Sequence, residues 1–453
     1  MRFSSVSLGL GCLVLSSAAL AGCDTSTLPD GAVGFVTAPD DDPWSGPPAV
    51  DHVQVDFVQG TTRSSLADLK APPSTVSIGN GGPSDVVAHF EATGLTSAGD
   101  AVVFGSSIPF TVKGFAGAYV PLFVARKGGF ATAPSSLLSP HIRPLSVLAS
   151  QAYQLVVGSG DAAIDFFDSG TWAAPSDAPP LPQTVKSMAI SGWSLLMIND
   201  TQANWLDLTS SSITPASPLP AGLRSFGDIA GGQTLVASDG TIYIVGATRT
   251  EGDPTNSIVQ IDPAGVLHTL LLKTARLGAA ATLVEDSLLV AGGSADGAGA
   301  ELLPVSANSF NELDLPADDT TGASLVELTS ASALLAGGHD ASGAPAPTRG
   351  IDLGCSSKCR ATKLPKASLS IAHASAFRLA ENVALIVGET DDEETHAYLF
   401  DASGDEAMLT EQALRTPRSQ ASATRLPNGQ VAIVGGTELS TLSPALSVDI
   451  FFP

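Results

Sequence analysis

The chain has 453 residues, and its 45 acidic side chains outnumber its 21 basic ones, which gives a formal net charge of −24 at pH 7. Such a surface makes nucleic acid a poor partner, because affinity for phosphate backbones depends on Lys and Arg. Without a polybasic patch it also disfavours adsorption to anionic lipid headgroups. With 44% apolar residues, the chain can form two domains that each have a core.

Residues 1–22 are predicted to be a signal peptide. Arg2 supplies a positive charge, and the apolar stretch 6–20 is short for a membrane span but long enough for a secretory signal. It ends in LAGC at 20–23, which resembles the lipobox of bacterial lipoproteins. The resemblance implies lipid attachment at Cys23 and a place in the cell envelope, anchored to a bacterial membrane on its periplasmic side or at the cell surface. An ordinary signal peptide with a chance cysteine is the alternative.

Two segments follow the signal. Residues 23–48 are rich in Pro, Gly and Asp and lack a sustained period, so the sequence predicts a flexible tether. Residues 49–125 contain short alternating runs, such as VQVDFV at 53–58, separated by Gly, Ser, Asn and Asp. Strands of this length and spacing are typical of a small antiparallel β-sandwich, and we expect an Ig-like or transthyretin-like domain here.

The rest of the chain, 127–453, consists of repeats in steps of 41 to 51 residues. Each repeat contains a short apolar run, and six of the seven runs stop at glycine: YQLVVGS, SLLMIND, TIYIVGA, SLLVAGG, SALLAGG, VALIVGE and QVAIVGG. A repeat of this length on strand-like runs is typical of the four-stranded blades of a β-propeller. The sequence therefore predicts seven blades, while the weaker copies also allow six or eight.

These repeats resemble degenerate bacterial kelch repeats. The resemblance rests on Gly-Gly after an apolar strand, on the preceding strand of the type Ala281-Thr282-Leu283, and on a following aromatic residue, Trp172 or Phe310. It implies an all-β fold in which a seven-bladed kelch-like β-propeller follows the small β-sandwich. The last repeat lacks a fourth strand and a spare strand occurs at 128–134, so we expect that strand to complete the last blade and close the ring.

Two cysteines remain beyond the lipobox, Cys355 and Cys359. They are separated by three residues between two strand-like runs, which in an oxidising compartment favours one short-loop disulfide across a hairpin turn. Half of a zinc site is the alternative, but the sequence has no second Cys pair and no nearby paired His to complete it. We predict no metal and no cofactor.

The sequence contains none of the common catalytic or phosphate-binding motifs. Propeller sites are assembled from several blades, so an exported enzyme acting on glycans or a similar envelope substrate stays an alternative. The loops after the second and fourth strands share one face and vary in length, which favours them for ligand binding. Their candidate residues are Arg249, Glu251, Asp253, His339, Asp340 and Arg349. The sequence thus favours a lipid-anchored binding protein for an unknown protein or glycan over an enzyme; a structural envelope component without a discrete ligand is a further alternative.

Overall fold

The computed structural model of the protein describes residues 31–78, 86–111, 117–149, 154–158, 164–174, 184–246, 253–305, 307–353, 361–363 and 369–453. Cys23, Cys355, Cys359, Arg249 and Glu251 lie outside these ranges, so the anchor and the disulfide stay predictions. Within the ranges, no helix is long and apolar enough to span a membrane.

The N-terminal domain is built from the strands β1 Ala32–Val36, β2 His52–Gln59, β3 Thr62–Lys70, β4 Val76–Ser77, β5 Val87–Leu95, β6 Ala101–Ser106, β7 Phe110–Thr111 and β8 Tyr119–Arg126. They are hydrogen-bonded in the order β3-β2-β5-β6-β8-β1-β4, and β7 pairs with β5. Alternate residues such as Val53 and Val55 are buried in one core, as a period of two predicts. The Ig-like or transthyretin-like sandwich stays a prediction.

β1 corrects two expectations from the sequence. It lies in the segment 23–48, so the prediction of a flexible tether is wrong for residues 32–48. It runs parallel to β8 and buries Val33 in the core, so the domain is not purely antiparallel. Trp44 packs against the same core, and Arg126 donates a hydrogen bond of 2.8 Å to the carbonyl oxygen of Gly46. The few apolar residues of this stretch are separated by Pro, Gly and Asp, so contacts with distant residues order it although no local period is visible.

The remaining strands form a seven-bladed β-propeller, as the repeat predicts. β9 is Gly129–Thr132, and blade 1 contains β10 Leu145–Ala149, β11 Gln154–Gly158 and β12 Ile164–Asp168. Blade 2 contains β13 Ser187–Ser191, β14 Ser194–Ile198, β15 Ala203–Asp207 and β16 Ile213–Pro215. After a 3₁₀ helix at Phe226–Asp228, blade 3 contains β17 Gln233–Val236, β18 Ile242–Val245, β19 Thr255–Ile261 and β20 Leu267–Arg276.

Blade 4 contains β21 Ala280–Val284, β22 Ser287–Ala291, β23 Ala300–Leu303 and β24 Asn311–Glu312. Blade 5 contains β25 Ser324–Thr329, β26 Ser332–Ala336, β27 Arg349–Asp352 and β28 Ala361–Lys363. Blade 6 contains β29 Ala372–Ala380, β30 Val383–Glu389, β31 Thr395–Asp401 and β32 Met408–Gln412. The last strands are β33 Arg418–Ser419, β34 Ser422–Arg425, β35 Val431–Val434, β36 Thr437–Glu438 and β37 Asp449–Phe452. β33 pairs with β36 beside blade 7.

The ring closes by combining the two ends of the propeller sequence. Blade 7 has the order β34-β35-β37-β9, and in the outer pair Phe130 lies opposite Phe451 with ring centroids 5.2 Å apart. The first strands of the blades surround the central axis, where β10 also contacts β34. The outermost strand of blade 7 therefore comes from the segment 128–134, which is the closure that the sequence analysis predicts.

The apolar runs of the repeats are the second strands of the blades. They are buried on both faces because neighbouring blades pack against them from both sides, as at Leu288, Leu289 and Val290. The glycines that end the run have φ values of 79° at Gly292 and 74° at Gly293, and a Cβ atom there would lie 2.7 and 2.6 Å from carbonyl oxygens of neighbouring loops. The doublet is thus needed for both backbone conformation and close approach.

Buried ion pairs link the loop before the first strand to the third strand. Arg418 and Asp449 are fully buried with 3.4 Å between Nη2 and Oδ2, and the Arg418 guanidinium also donates to the carbonyl oxygens of Thr416, Gly435 and Ser447. Blade 4 has the same arrangement in Arg276 with Glu301, and at the equivalent place in blade 1 the Nε2 atom of buried His141 lies 3.3 Å from Oδ2 of Asp165. The sequence analysis missed these pairs, because their members are separated by variable loops.

The N-terminal domain and the ring share one hydrophobic cluster. Phe123 at the end of the domain lies with its ring centroid 5.0 Å from that of Trp172 in blade 1 and 5.1 Å from that of Phe452 in blade 7. The side chain of Asn428 donates a hydrogen bond of 2.9 Å to the carbonyl oxygen of Ser106. The sequence led us to expect separate cores, but the two domains are packed as one unit at blades 1 and 7.

Candidate binding site

The turns after the second and fourth strands lie at one end of the ring, because antiparallel strands alternate in direction. We call this end the loop face. It carries the turns 292–299, 337–348 and 390–394 and the segments 133–144, 313–323 and 413–421 that lead into first strands. The opposite end, the hairpin face, carries the short turns between first and second strands, such as 192–193, 285–286 and 381–382.

Two predicted residues, His339 and Asp340, lie next to each other on the loop face of blade 5. The backbone of His339 is bonded to that of Thr321 in both directions, at 2.9 and 3.0 Å, and its Nε2 lies 3.3 Å from Oδ1 of Asp391. The carboxylate of Asp340 accepts a hydrogen bond from the Ser342 hydroxyl, which lowers the pKa of Asp340. His339 therefore joins the turns of blades 5 and 6, whereas Asp340 shapes its own turn.

The other two described residues of the predicted set occupy different surroundings. Arg349 pairs through Nη1 with Asp318 at 3.0 Å and donates through Nη2 to the Thr320 hydroxyl at 2.8 Å. Its side chain is 12% exposed, and this burial lowers the pKa of the guanidinium. Asp253 is exposed just before β19, the third strand of blade 3. The structure thus places Arg349 in the packing of blade 5, and within the described ranges it shows no contact between Asp253 and the blade 5 residues.

A group of charged and polar side chains surrounds the turn 390–394 of blade 6. Arg143 Nη2 lies 2.6 Å from Glu393 Oε1, and its Nη1 lies 3.9 Å from Glu389 Oε2. The side-chain amide of Gln420 donates to Glu393 as well. Burial raises the pKa of Glu389, which the charges of His373 and Arg143 oppose. We define the charged patch as Arg143, His373, Glu389, Glu393 and Gln420; the pair His339–Asp391 borders it.

Four of the five members of the charged patch have a positive φ, and three of them, all but Glu393 at 65°, share one position in the fold. In six blades, one residue just before the regular part of the first strand has a positive φ. It lies two positions before the residue at which uninterrupted pairing with the second strand begins. In blades 3, 4 and 5 this residue is a glycine: Gly231, Gly278 and Gly322. In blades 6, 7 and 1, which are neighbours in the ring, it is His373 at 48°, Gln420 at 56° and Arg143 at 49°. The same fold position is therefore relaxed in one half of the ring and strained in the other.

The contrast between glycine in three blades and larger residues in three others shows which residue the fold itself requires at this position. Glycine adopts a positive φ without cost, whereas other L-residues lose roughly 1–2 kcal/mol in the left-handed region. Such strain persists where the surroundings hold it, and it is concentrated at functional sites. Glycine satisfies the fold at this position in three blades, so the fold alone does not require Arg143, His373 and Gln420. The side chains of Arg143 and Gln420 contact Glu393, and the charge of His373 acts on Glu389, which marks the charged patch as the candidate site.

Sequence reasoning missed these three residues because each is a single polar residue in a loop of variable sequence. A signal exists once the repeats are superposed: glycine recurs before the first strand in three copies, and polar residues replace it in three others.

Within the described ranges, no group of three or more His, Cys, Asp or Glu residues is arranged to hold a metal ion.

No family model matches the sequence, and no curated protein matches it. Among solved structures, U3-55K is similar with a TM-score of 0.48 and 13% identity over 72% of this chain and 98% of that chain. The RRP9 WD40 repeats give 0.47 and 13% over 71% and 96%. YjhT gives 0.41 and 14% over 59% and 94%. At these identities the similarity concerns the fold alone.

Proposed function

We propose that this protein is a lipid-anchored recognition protein of the bacterial cell envelope, which binds a protein partner through the charged patch on the loop face of a kelch-type propeller. The observation that carries the proposal is the strained backbone of Arg143, His373 and Gln420, at a position where other blades use glycine. The recurrence of Gly-Gly after the second strands of blades 4, 5 and 7 supports the kelch type.

The composition of the charged patch favours a protein partner. Arg143 is exposed beside the exposed carboxylate of Glu393, and the bordering Asp391 has 81% of its side chain exposed. Charges of both signs at a rim steer a complementary surface and set its register. Sugar-binding sites commonly stack the ring on an aromatic side chain, and none of the five patch residues is Trp, Tyr or Phe. The partner surface should therefore carry both acidic and basic side chains.

The first test replaces the strained residues by the residue that the fold prefers. We expect Arg143→Gly, His373→Gly and Gln420→Gly together to abolish crosslinking to the partner in intact cells. The melting temperature should rise slightly, since relief of left-handed strain exceeds the roughly 0.4–1 kcal/mol that glycine adds to the entropy of the unfolded chain. A purely structural role would lower the melting temperature instead.

Asn382→Gly is the matched control. Asn382 also has a positive φ, 61°, but lies in a turn on the hairpin face of blade 6. We expect this variant to gain stability in the same way and to capture the partner as well as the unchanged protein does. If the triple variant still captured the same partner, the charged patch would not be the recognition site. Recovery of a glycan rather than a protein would contradict the proposed partner class.

The second test concerns the anchor. Because Cys23 is the predicted lipid acceptor, Cys23→Ser should release the protein from membranes or leave it as unprocessed precursor. The unchanged protein should resist a salt wash, since stable anchoring comes from more than one acyl chain. Membrane fractionation and mass spectrometry of the N-terminus measure both. A mature N-terminus elsewhere, on protein that is free of the membrane, would show that the lipobox interpretation is wrong.

A further inference from the structure

The hairpin face has an opening of its own, where the first strands end. The last three residues of each first strand lie next to the turn that leads to the second strand. Because the pairing of these two strands ends at that turn in every blade, these residues lie at the same level along the ring axis. Val147 and Leu148 occupy this level in blade 1, Ala189 and Ile190 in blade 2, and Val236 in blade 3. Since the first strands surround the axis, these residues lie around the same end of the central channel, where Ala189 and Ile190 are themselves buried.

One half of this channel end carries mostly aliphatic side chains. A cavity of about 380 Å³ is lined by Val147, Leu148, Ala189, Ile190, Thr234, Val236 and Ala237. Its volume falls within the range of roughly 300–1,000 Å³ that is usual for small-molecule sites. Thr234 is committed to the ring, because its hydroxyl donates a hydrogen bond of 2.6 Å to the carbonyl oxygen of Met188. Apart from Thr234, the side chains that line the cavity are aliphatic, and backbone polar atoms form the rest of its walls.

The other half, at the same level, is charged. Glu327 in blade 5 and Arg378 in blade 6 form an ion pair of 3.1 Å, each two residues before the end of the paired first strand. Arg425 is the last paired residue of the first strand in blade 7, at the level of Val236 in blade 3. In the described part of the chain no carboxylate lies within 4.0 Å of the Arg425 guanidinium.

Arg425 is both exposed and partly desolvated. It is exposed to solvent, yet the surrounding protein desolvates it enough to lower its pKa, and the neighbouring charge of Arg378 acts in the same direction. A side chain on the wall of a concave opening is both exposed to solvent and partly desolvated, because protein surrounds it on several sides. Among the described residues Arg425 has no acidic partner, although the chain has a net charge of −24, and an anionic group beside it would offset both the desolvation and the repulsion.

We propose that the channel end at the hairpin face binds a small amphipathic anion, whose apolar body fills the cavity of blades 1–3 and whose carboxylate pairs with Arg425. The nearby turn of blade 7 is joined to the N-terminal domain through Asn428 and Ser106, so the ligand lies beside the domain junction. The site is separate from the charged patch, which lies at the opposite end of the ring.

Decanoate tests the proposal with the full chain in isothermal titration calorimetry, and decanol serves as the uncharged probe of the same length. We expect saturable binding of decanoate with a stoichiometry of one, and binding at least tenfold weaker for decanol. Arg425→Gln should weaken decanoate binding at least tenfold and leave decanol binding unchanged. Arg224→Gln, on the loop-face segment before blade 3, is the matched control and should bind both probes as the unchanged protein does.

A second variant tests the cavity. Val236 has 44% of its surface exposed, so Val236→Trp can be accommodated without repacking the core. The larger ring should occupy the cavity and remove binding of both probes, while the melting temperature changes little. The proposal is overturned if decanoate fails to bind at millimolar concentration, if Arg425→Gln and Arg224→Gln bind it equally, or if Val236→Trp leaves its affinity unchanged. None of these results bears on partner capture at the charged patch.

Discussion

A chain shortened to begin at residue 135 is expected to lose the folded ring and to aggregate. The deletion removes β9, so the backbone groups of β37 that face it lose their partners. It also uncovers Phe451 and Phe452, which are fully buried in the intact protein. Unpaired edges next to exposed apolar surface favour association between chains. Size-exclusion elution and thermal melting measure the effect, and we expect a loss of the cooperative transition.

A chain that begins at residue 127 is the matched comparison, because it keeps β9. It loses Phe123 and Ala125 from the cluster shared by the two domains, so Trp172 and Phe452 become partly exposed. Burial of one aromatic side chain contributes about 1.5–3 kcal/mol, so this chain should melt at a lower temperature yet elute as a compact monomer. Equal melting and elution of the two shortened chains would contradict closure through β9.

Replacing Arg418 by Met is expected to lower the free energy of unfolding by about 3–5 kcal/mol, the usual cost of leaving one member of a buried ion pair without its partner. Asp449 would remain buried without the guanidinium, and the carbonyl oxygens of Thr416, Gly435 and Ser447 would lose a donor. Urea unfolding followed by circular dichroism measures the change. Adding Asp449→Asn should recover part of the loss, because it removes the isolated charge while keeping an acceptor for the amide of Thr416.

The control for this change is Lys186→Met. Lys186 and Asp200 form an ion pair of 2.6 Å, but their side chains are 53% and 48% exposed. Exposed pairs contribute roughly 0–1 kcal/mol, so this variant should unfold almost as the unchanged protein does. A similar loss for both variants would mean that burial does not set the contribution of the Arg418 pair.

The backbone strain at Arg143, His373 and Gln420 explains why the loop face could be predicted while its site could not. Loop lengths and charges in the sequence indicate the face, and His339 does lie on it near the charged patch. Arg349 is a charged residue beside a loop of the same face, but its side chain forms an ion pair with Asp318 and a hydrogen bond with Thr320. A charged residue in a loop looks the same in the sequence whether it pairs inside the fold or faces a ligand.

The sequence by itself determined the repeat, the blade strands and the closing strand of this protein. These features are local: an apolar run must be buried on both faces, and in blades 4, 5 and 7 a glycine doublet ends it. The tertiary structure alone decided the place of β1, the core shared through Phe123, the buried pairs of Arg276 and Arg418, and the meeting of three blades at Glu389 and Glu393. Each of these joins residues far apart in the chain, and their contact energies depend on distances that no local period encodes.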